Sequence, residues 1–134
     1  MATITNKSTL NRTATSGVKH VEYTIDATDR TLGRVASEAA HALLGKRSVH
    51  YSKNQALPMT VTVKNAGKLH LPVRRTKNTV YSRYSGHPGG LYHMTMEEMI
   101  TKKGIAAVVK KTVDGMIPRN KLRPLRMKNL IVTE

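Results

Sequence analysis

The sequence predicts a single layered α/β domain, and three observations carry that prediction. Short β-branched runs alternate apolar with polar residues, amphipathic stretches of helical period lie between them, and 134 residues with 39% hydrophobic content suffice for one modest core. An order of strand, helix, strand, strand, helices favours two kinds of packed layer over an all-helical bundle.

Residues 1–20 hold seven Ser or Thr, three basic residues, no acid and no hydrophobic period. They read as a flexible basic extension that orders on its target. The same Ser-rich, acid-poor composition also suits an organelle transit peptide, so both readings stand; an apolar signal core is absent. The globular domain spans 21–134. Tyr23 to Ala27 reads as a strand, and the polar turn Thr28-Asp29-Arg30-Thr31 leads into a helix. Leu32, Val35, Ala36, Ala39, Ala40 and Leu43 recur at helical spacing, and Gly45 stops them. Met59, Val61 and Val63 alternate with Thr60 and Thr62 as a second strand. A turn at Lys64 to Gly67 then leads to a predicted third strand through Leu69, Leu71 and Val73. Thr95-Met96-Glu97-Glu98 has the capping-box pattern of a helix start, with Gly104 as its interruption. Val108, Val109, Thr112, Val113 and Met116 suggest a third helix, closed by Gly115 and Pro118, and Leu130 to Val132 a last short strand. No internal repeat occurs.

Charge narrows the function. Against 23 Lys and Arg stand 8 acidic residues, a formal net charge of +15. A compact fold with that charge repels itself unless a polyanion shares its surface, and nucleic acid is the obvious one. A membrane fits poorly, because no apolar run approaches 18 residues and no basic amphipathic helix has an aromatic face. The distribution says more than the sum. No acid falls between Glu38 and Glu97, an interval that holds Lys46, Arg47, Lys53, Lys64, Lys68, Arg74, Arg75, Lys77 and Arg83. A second acid-free stretch, Gly115 to Thr133, holds Arg119, Lys121, Arg123, Arg126 and Lys128. Most charge runs are merely solvated faces, but those normally intersperse both signs. With Arg34 on the polar side of the first helix, these cations are the candidate RNA contacts, Lys64 excepted.

Catalytic and metal chemistry find little support. Cysteine is absent, which removes disulfides, thiolate metal sites and cysteine nucleophiles. The six His form no i,i+4 pair with a nearby carboxylate, so no metal site is predicted. Neither a cofactor nor a small-molecule substrate is expected. Gly45-Lys46-Arg47-Ser48 has the tail of a phosphate-binding loop but lacks its earlier glycine and follows a helix instead of a strand. None of Asp26, Asp29 and Asp114 suggests a hydrolase triad.

Two segments carry the binding prediction. Tyr81-Ser82-Arg83-Tyr84-Ser85-Gly86-His87-Pro88-Gly89-Gly90 places charge, rings and glycines within ten residues. A bland reading makes it a turn-rich loop held by tyrosine packing. Glycines also let backbone amides approach phosphate, so Arg83, Tyr84, Ser85, Gly86, His87, Gly89 and Gly90 are candidate RNA contacts. Gly115-Met116-Ile117-Pro118 then leads into Arg119 to Lys128, predicted as an extended basic arm along an RNA backbone. Phe and Trp are absent and five Tyr are the only large rings, so phosphate and shape recognition fit better than an extensive stacking platform.

From about Val21 onward the chain resembles the large-subunit ribosomal protein thirteen family, universal and of bacterial type here. The carriers are Asp26-Ala27 with Thr31-Leu32-Gly33-Arg34-Val35-Ala36, Gly45-Lys46, Val63-Lys64-Asn65-Ala66, the Tyr81 to Gly90 segment, Glu97-Glu98-Met99 and Gly115-Met116-Ile117-Pro118. The resemblance implies a three-layer α/β/α fold around a small, mainly parallel sheet. It also implies binding to large-subunit ribosomal RNA beside neighbouring large-subunit proteins, a part in early subunit assembly, and a ribosome-bound location in the cytoplasm or an organelle. Tyr84 and His87 stand where the family usually has His and an aromatic residue, and Leu57-Pro58-Met59 and Leu71-Pro72 also depart from its pattern. The other function classes are a free regulatory RNA-binding protein, which has the same charge signature, and a nucleotide-dependent enzyme on an α/β scaffold, favoured only by fold analogy.

Overall fold

The computed structural model describes Thr3–Thr5 and residues 20–134. The rest of the predicted N-terminal extension lies outside the described residues, whereas Thr3–Thr5 is not a free arm but strand β1. It pairs antiparallel with β2 (Val21–Asp26). Helix α1 (Leu32–Leu43) joins β2 to β3 (Met59–Lys64). A single 3-10 turn (Ala66–Lys68), helix α2 (Val73–Asn78) and strands β4 (Val80–Tyr84) and β5 (Leu91–Thr95) follow. Helices α3 (Met96–Lys103), α4 (Ile105–Met116) and α5 (Arg123–Lys128) lead to β6 (Leu130–Val132).

The main sheet has the order β1-β2-β3-β6, with β2, β3 and β6 parallel. Tyr23, Val61 and Leu130 stand in one row across it, and Ile25, Val63 and Val132 in the next. These side chains share a face because strand residues two apart point the same way. Ile25, Val61 and Val63 are buried there with Val35 of α1 and Val108, Val109 and Val113 of α4. Each such side chain contributes on the order of 1.5–3 kcal/mol of hydrophobic stabilisation. The small face of α1, Ala36, Ala39, Ala40 and Ala42, is also fully or nearly fully buried.

Both crossovers, β2 to β3 and β3 to β6, step the same way across the sheet, so connections of one hand put α1 and α4 on one face. Packing of α1 on β2, β3 and α4, and of α4 on β6, agrees. The α/β class and the small, mainly parallel sheet are thus as predicted. The other sheet face carries Thr24, Thr60 and Thr62 half-buried and Ile131 half-exposed.

Three local expectations are corrected. Leu69 to Val73 is not a strand. The edges of β3 are taken by β2 and β6, Asn65 turns the chain in the left-handed region (φ 58°), and Pro72 starts α2. The Tyr81 to Gly90 segment is not a plain loop but one arm and the tip of the β4–β5 hairpin. Residues Arg119 to Lys128 are not an extended arm, since Arg123–Lys128 closes into α5 with Pro124 in its first turn. The capping box of α3 forms as predicted. Glu98 N donates to Thr95 Oγ1 at 3.3 Å, and Thr95 N to Glu98 Oε2 at 3.2 Å.

Candidate nucleic-acid interface

A helix joining parallel strands runs against them, so α1 and α4 begin at the C-terminal end of β2, β3 and β6 and finish at the N-terminal end. That topology divides the predicted cations into two groups. Arg34, in the first turn of α1, and Lys68, just after β3, lie at the C-terminal end. The segment continuing from Lys68 brings Arg74, Arg75 and Lys77 on α2, which packs against β5 and α3. Lys46, Arg47 and Lys53 follow α1 at the opposite end, where Arg119, Lys121 and Lys128 precede β6. Arg34 and Leu43, three residues before Lys46, are separated along α1 by roughly 14 Å at 1.5 Å rise per residue.

Helix α2 and the hairpin form one cationic unit. Arg74, Arg75, Lys77 and Arg83 are exposed, and Pro72, Arg74, Arg75, Asn78 and Thr79 line an open depression of about 330 Å³. The hairpin is fastened by Tyr81, which is half-buried and lies near Thr112 of α4. Burial pushes the Tyr81 phenol above its usual value, partly offset by Thr112 and by the charge of Arg75. At the tip, Ser85 N donates to Gly90 O at 3.3 Å and Gly90 N to His87 O at 3.0 Å. Gly86 and Gly89 take φ of 89° and 74°, where a side chain would be strained, and a Cβ on Gly90 would meet Ser85 Oγ. Tyr84, Ser85, Gly86, His87 and Gly89 are all exposed around this turn.

Arg47 is less free than its sequence context suggests. Its Nη2 donates to Glu38 Oε1 at 3.0 Å, and its guanidinium lies 5.6 Å from the centre of the Tyr23 ring. Arg30 reaches the other Glu38 oxygen at 2.7 Å. Burial pushes the Glu38 carboxyl upward, but the hydrogen bonds and charges of Arg30 and Arg47 outweigh it and hold it below its usual value. Lys46 and Lys53 remain exposed on the same loop, as does Val49, at 99% exposure.

Two of the predicted contacts point inward. Arg126 is only 3% exposed and donates from Nη2 to Gln55 O at 3.0 Å. Arg123 forms an ion pair with Asp114 and is half-buried. Periodicity in a six-residue helix could not separate these from the exposed Lys128. Sequence reasoning also passed over the exposed Lys102, Lys103, Lys110 and Lys111 on α3 and α4, although the two Lys-Lys pairs were a usable signal.

Among the described residues, no group of three or more His, Asp or Glu is placed to hold a metal ion, and no helix is long and apolar enough to cross a membrane. The family model for ribosomal protein L13 matches residues 20–134, all of the described residues except β1. The chain belongs to the ribosomal protein L13 family. Its relatives include the large ribosomal subunit protein uL13 of Borrelia hermsii, 36% identical over 130 residues that cover 95% of this chain and 87% of the relative. The uL13 protein of Ralstonia pickettii is 39% identical over 115 residues, covering 86% of this chain and 80% of the relative. The uL13m protein of Schizosaccharomyces pombe is 36% identical over 125 residues, 93% of this chain and 80% of the relative. The L13 match takes in both cationic ends of the domain and the hairpin between β4 and β5.

Proposed function

We propose that this L13-family protein is a structural constituent of the large ribosomal subunit, not an enzyme, and that it holds segments of large-subunit ribosomal RNA together early in assembly. Family membership across the described domain is the observation that carries the reading. The charge geometry supports it. Exposed Arg and Lys at both ends of one small sheet can neutralise phosphates of separate RNA segments, with the rigid core setting the span between them. The α2–hairpin unit (Arg74, Arg75, Lys77, Arg83 and the glycine tip) serves one segment. Lys46, Lys53, Arg119, Lys121 and Lys128 serve another. Neighbouring large-subunit proteins complete the surroundings.

If on the order of 6 phosphates are engaged, log affinity falls against log salt with a slope of roughly −5 on duplex-like RNA. Replacing Arg74, Arg75 and Lys77 together by Ala should flatten that slope by about 2–3 while moving stability by less than about 0.5 kcal/mol, since all three are exposed. In cell extract the protein should sediment with large subunits after a moderate salt wash. A flat salt response, or recovery only in the soluble fraction, overturns the reading; the latter result would favour a free regulatory RNA binder.

A further inference from the structure

The β4–β5 hairpin has two unlike faces. Register pairs Val80 with Thr95, Ser82 with His93 and Tyr84 with Leu91, so these six residues share one face. Tyr81, Arg83, Tyr92 and Met94 share the other, and half-buried Tyr81 and Met94 hold that face toward the body. The first face is open. Tyr84 is 64% exposed, its cross-strand partner Leu91 58% and Val80 53%. A tyrosine ring beside one aliphatic side chain, with Ser82 and His93 exposed in the next row and Val80 beyond them, left in water on a chain of charge +15, calls for an occupant.

We propose that this face takes an unpaired RNA base, stacked on the Tyr84 ring against Leu91, with its flanking phosphates on the glycine tip and the α2 cations. The inference rests on the ribosomal RNA-binding reading and adds the kind of RNA element that the hairpin takes. Charge complementarity selects the occupant: Arg74, Arg75 and Lys77 lie on α2, which packs against β5, Arg83 is exposed on β4, and no acid occurs between Glu38 and Glu97. A second copy of the chain would bring like charge against like. A base paired within a duplex presents only its edge to a protein, whereas an unpaired base offers the flat face that a tyrosine accepts.

The test measures binding by fluorescence anisotropy to two probes, a 12-nucleotide oligouridylate and a 12-base-pair RNA duplex, each across a salt series. Tyr84→Ala should weaken oligouridylate binding by roughly 5- to 150-fold, leave duplex binding within about twofold, and leave both salt slopes unchanged. Tyr84→Phe keeps the ring and should stay within about threefold of the parent on both probes. Circular dichroism confirms that each variant is folded, which the exposure of Tyr84 favours. The proposal is overturned if Tyr84→Ala leaves oligouridylate binding intact, if it weakens both probes equally, or if Tyr84→Phe loses as much as Ala. It is also overturned if RNA affinity is untouched while incorporation into subunits falls, because the face then belongs to a protein neighbour. Failure of the parent protein to bind either RNA would instead sink the broader RNA-binding reading.

Discussion

Arg126 on α5 donates from Nη2 to the backbone carbonyl of Gln55, 3.0 Å away and 71 positions earlier in the chain. The bond ties the segment before β6 to the loop before β3. It joins two stretches that both carry candidate RNA contacts. Among the described residues the buried guanidinium has no carboxylate partner and its Nε no hydrogen-bond partner.

Buried charge and exposed charge at this end of the domain should therefore separate in experiment. Arg126→Ala removes a side chain from a packed site and leaves the Gln55 carbonyl without its donor, so unfolding in urea should register a loss of about 2–4 kcal/mol. Arg126→Met retains much of the volume and discards a poorly satisfied charge, and should lose less than half as much. Neither change should move the salt slope of RNA binding. A slope flattened by about 1, the amount expected for one phosphate contact, would show that Arg126 turns outward to the RNA.

Gly45 ends α1 with φ of 78°, and a Cβ there would lie 2.8 Å from Leu57 Cδ1. Both the backbone conformation and the approach of Leu57 oppose a side chain. Gly45→Ala should cost about 1–2 kcal/mol in denaturant unfolding. Gly67→Ala is the internal control: nothing lies within 4 Å of its Cβ position and its φ is ordinary, so its effect should stay within about 0.5 kcal/mol. Equal losses at the two positions would disprove this account of Gly45.

At the other end of the sheet, Asp26 Oδ1 accepts from Asn65 Nδ2 at 3.0 Å and from the Thr28 amide and hydroxyl at 3.1 and 2.8 Å. The Asn65 hydrogen bond, then those of Thr28, lower its pKa from 3.8 to about 2. A carboxyl depressed by folding stabilises the fold above its unfolded pKa, and that contribution is lost as pH falls through the folded value. The thermal midpoint should consequently drop between about pH 4 and pH 2, and less steeply in Asp26→Asn than in the parent. Glu38, also held below its usual value, contributes to the acid sensitivity of both proteins. Identical pH profiles would remove Asp26 from the explanation.

Much of the core was legible because its signals are local and agree with one another. The alternation through Met59, Val61 and Val63, the apolar period of α1, and the Thr95–Glu98 cap each specify one element, and tertiary packing reinforces all three. The hairpin was harder to see. Its exposed face is as apolar as its fastened face, so β4 and β5 lack the alternation that marks a half-buried strand. Leu69, Leu71 and Val73 mislead in the opposite sense: they alternate, yet Leu69 is buried by a turn and Val73 is exposed on a helix. The candidate site was legible as charge and not as direction. Arg123, Arg126 and Lys128 look alike in sequence, and only packing of α5 decides which of them can meet a phosphate.

The pairing of β3 with β6 also bears on how the molecule is made. During synthesis β3 emerges beside β2 with one side of its backbone unpaired, and residues 65–129 must follow before β6 can close it. Until then Val61 and Val63 lack the strand that carries Leu130 and Val132, while the cations of α2 and the hairpin have already been made. The nascent chain is thus a polycation before it has its complete sheet. Under the proposed RNA-binding role, a polyanion that shields those charges would stabilise the chain while the C-terminal strand is awaited.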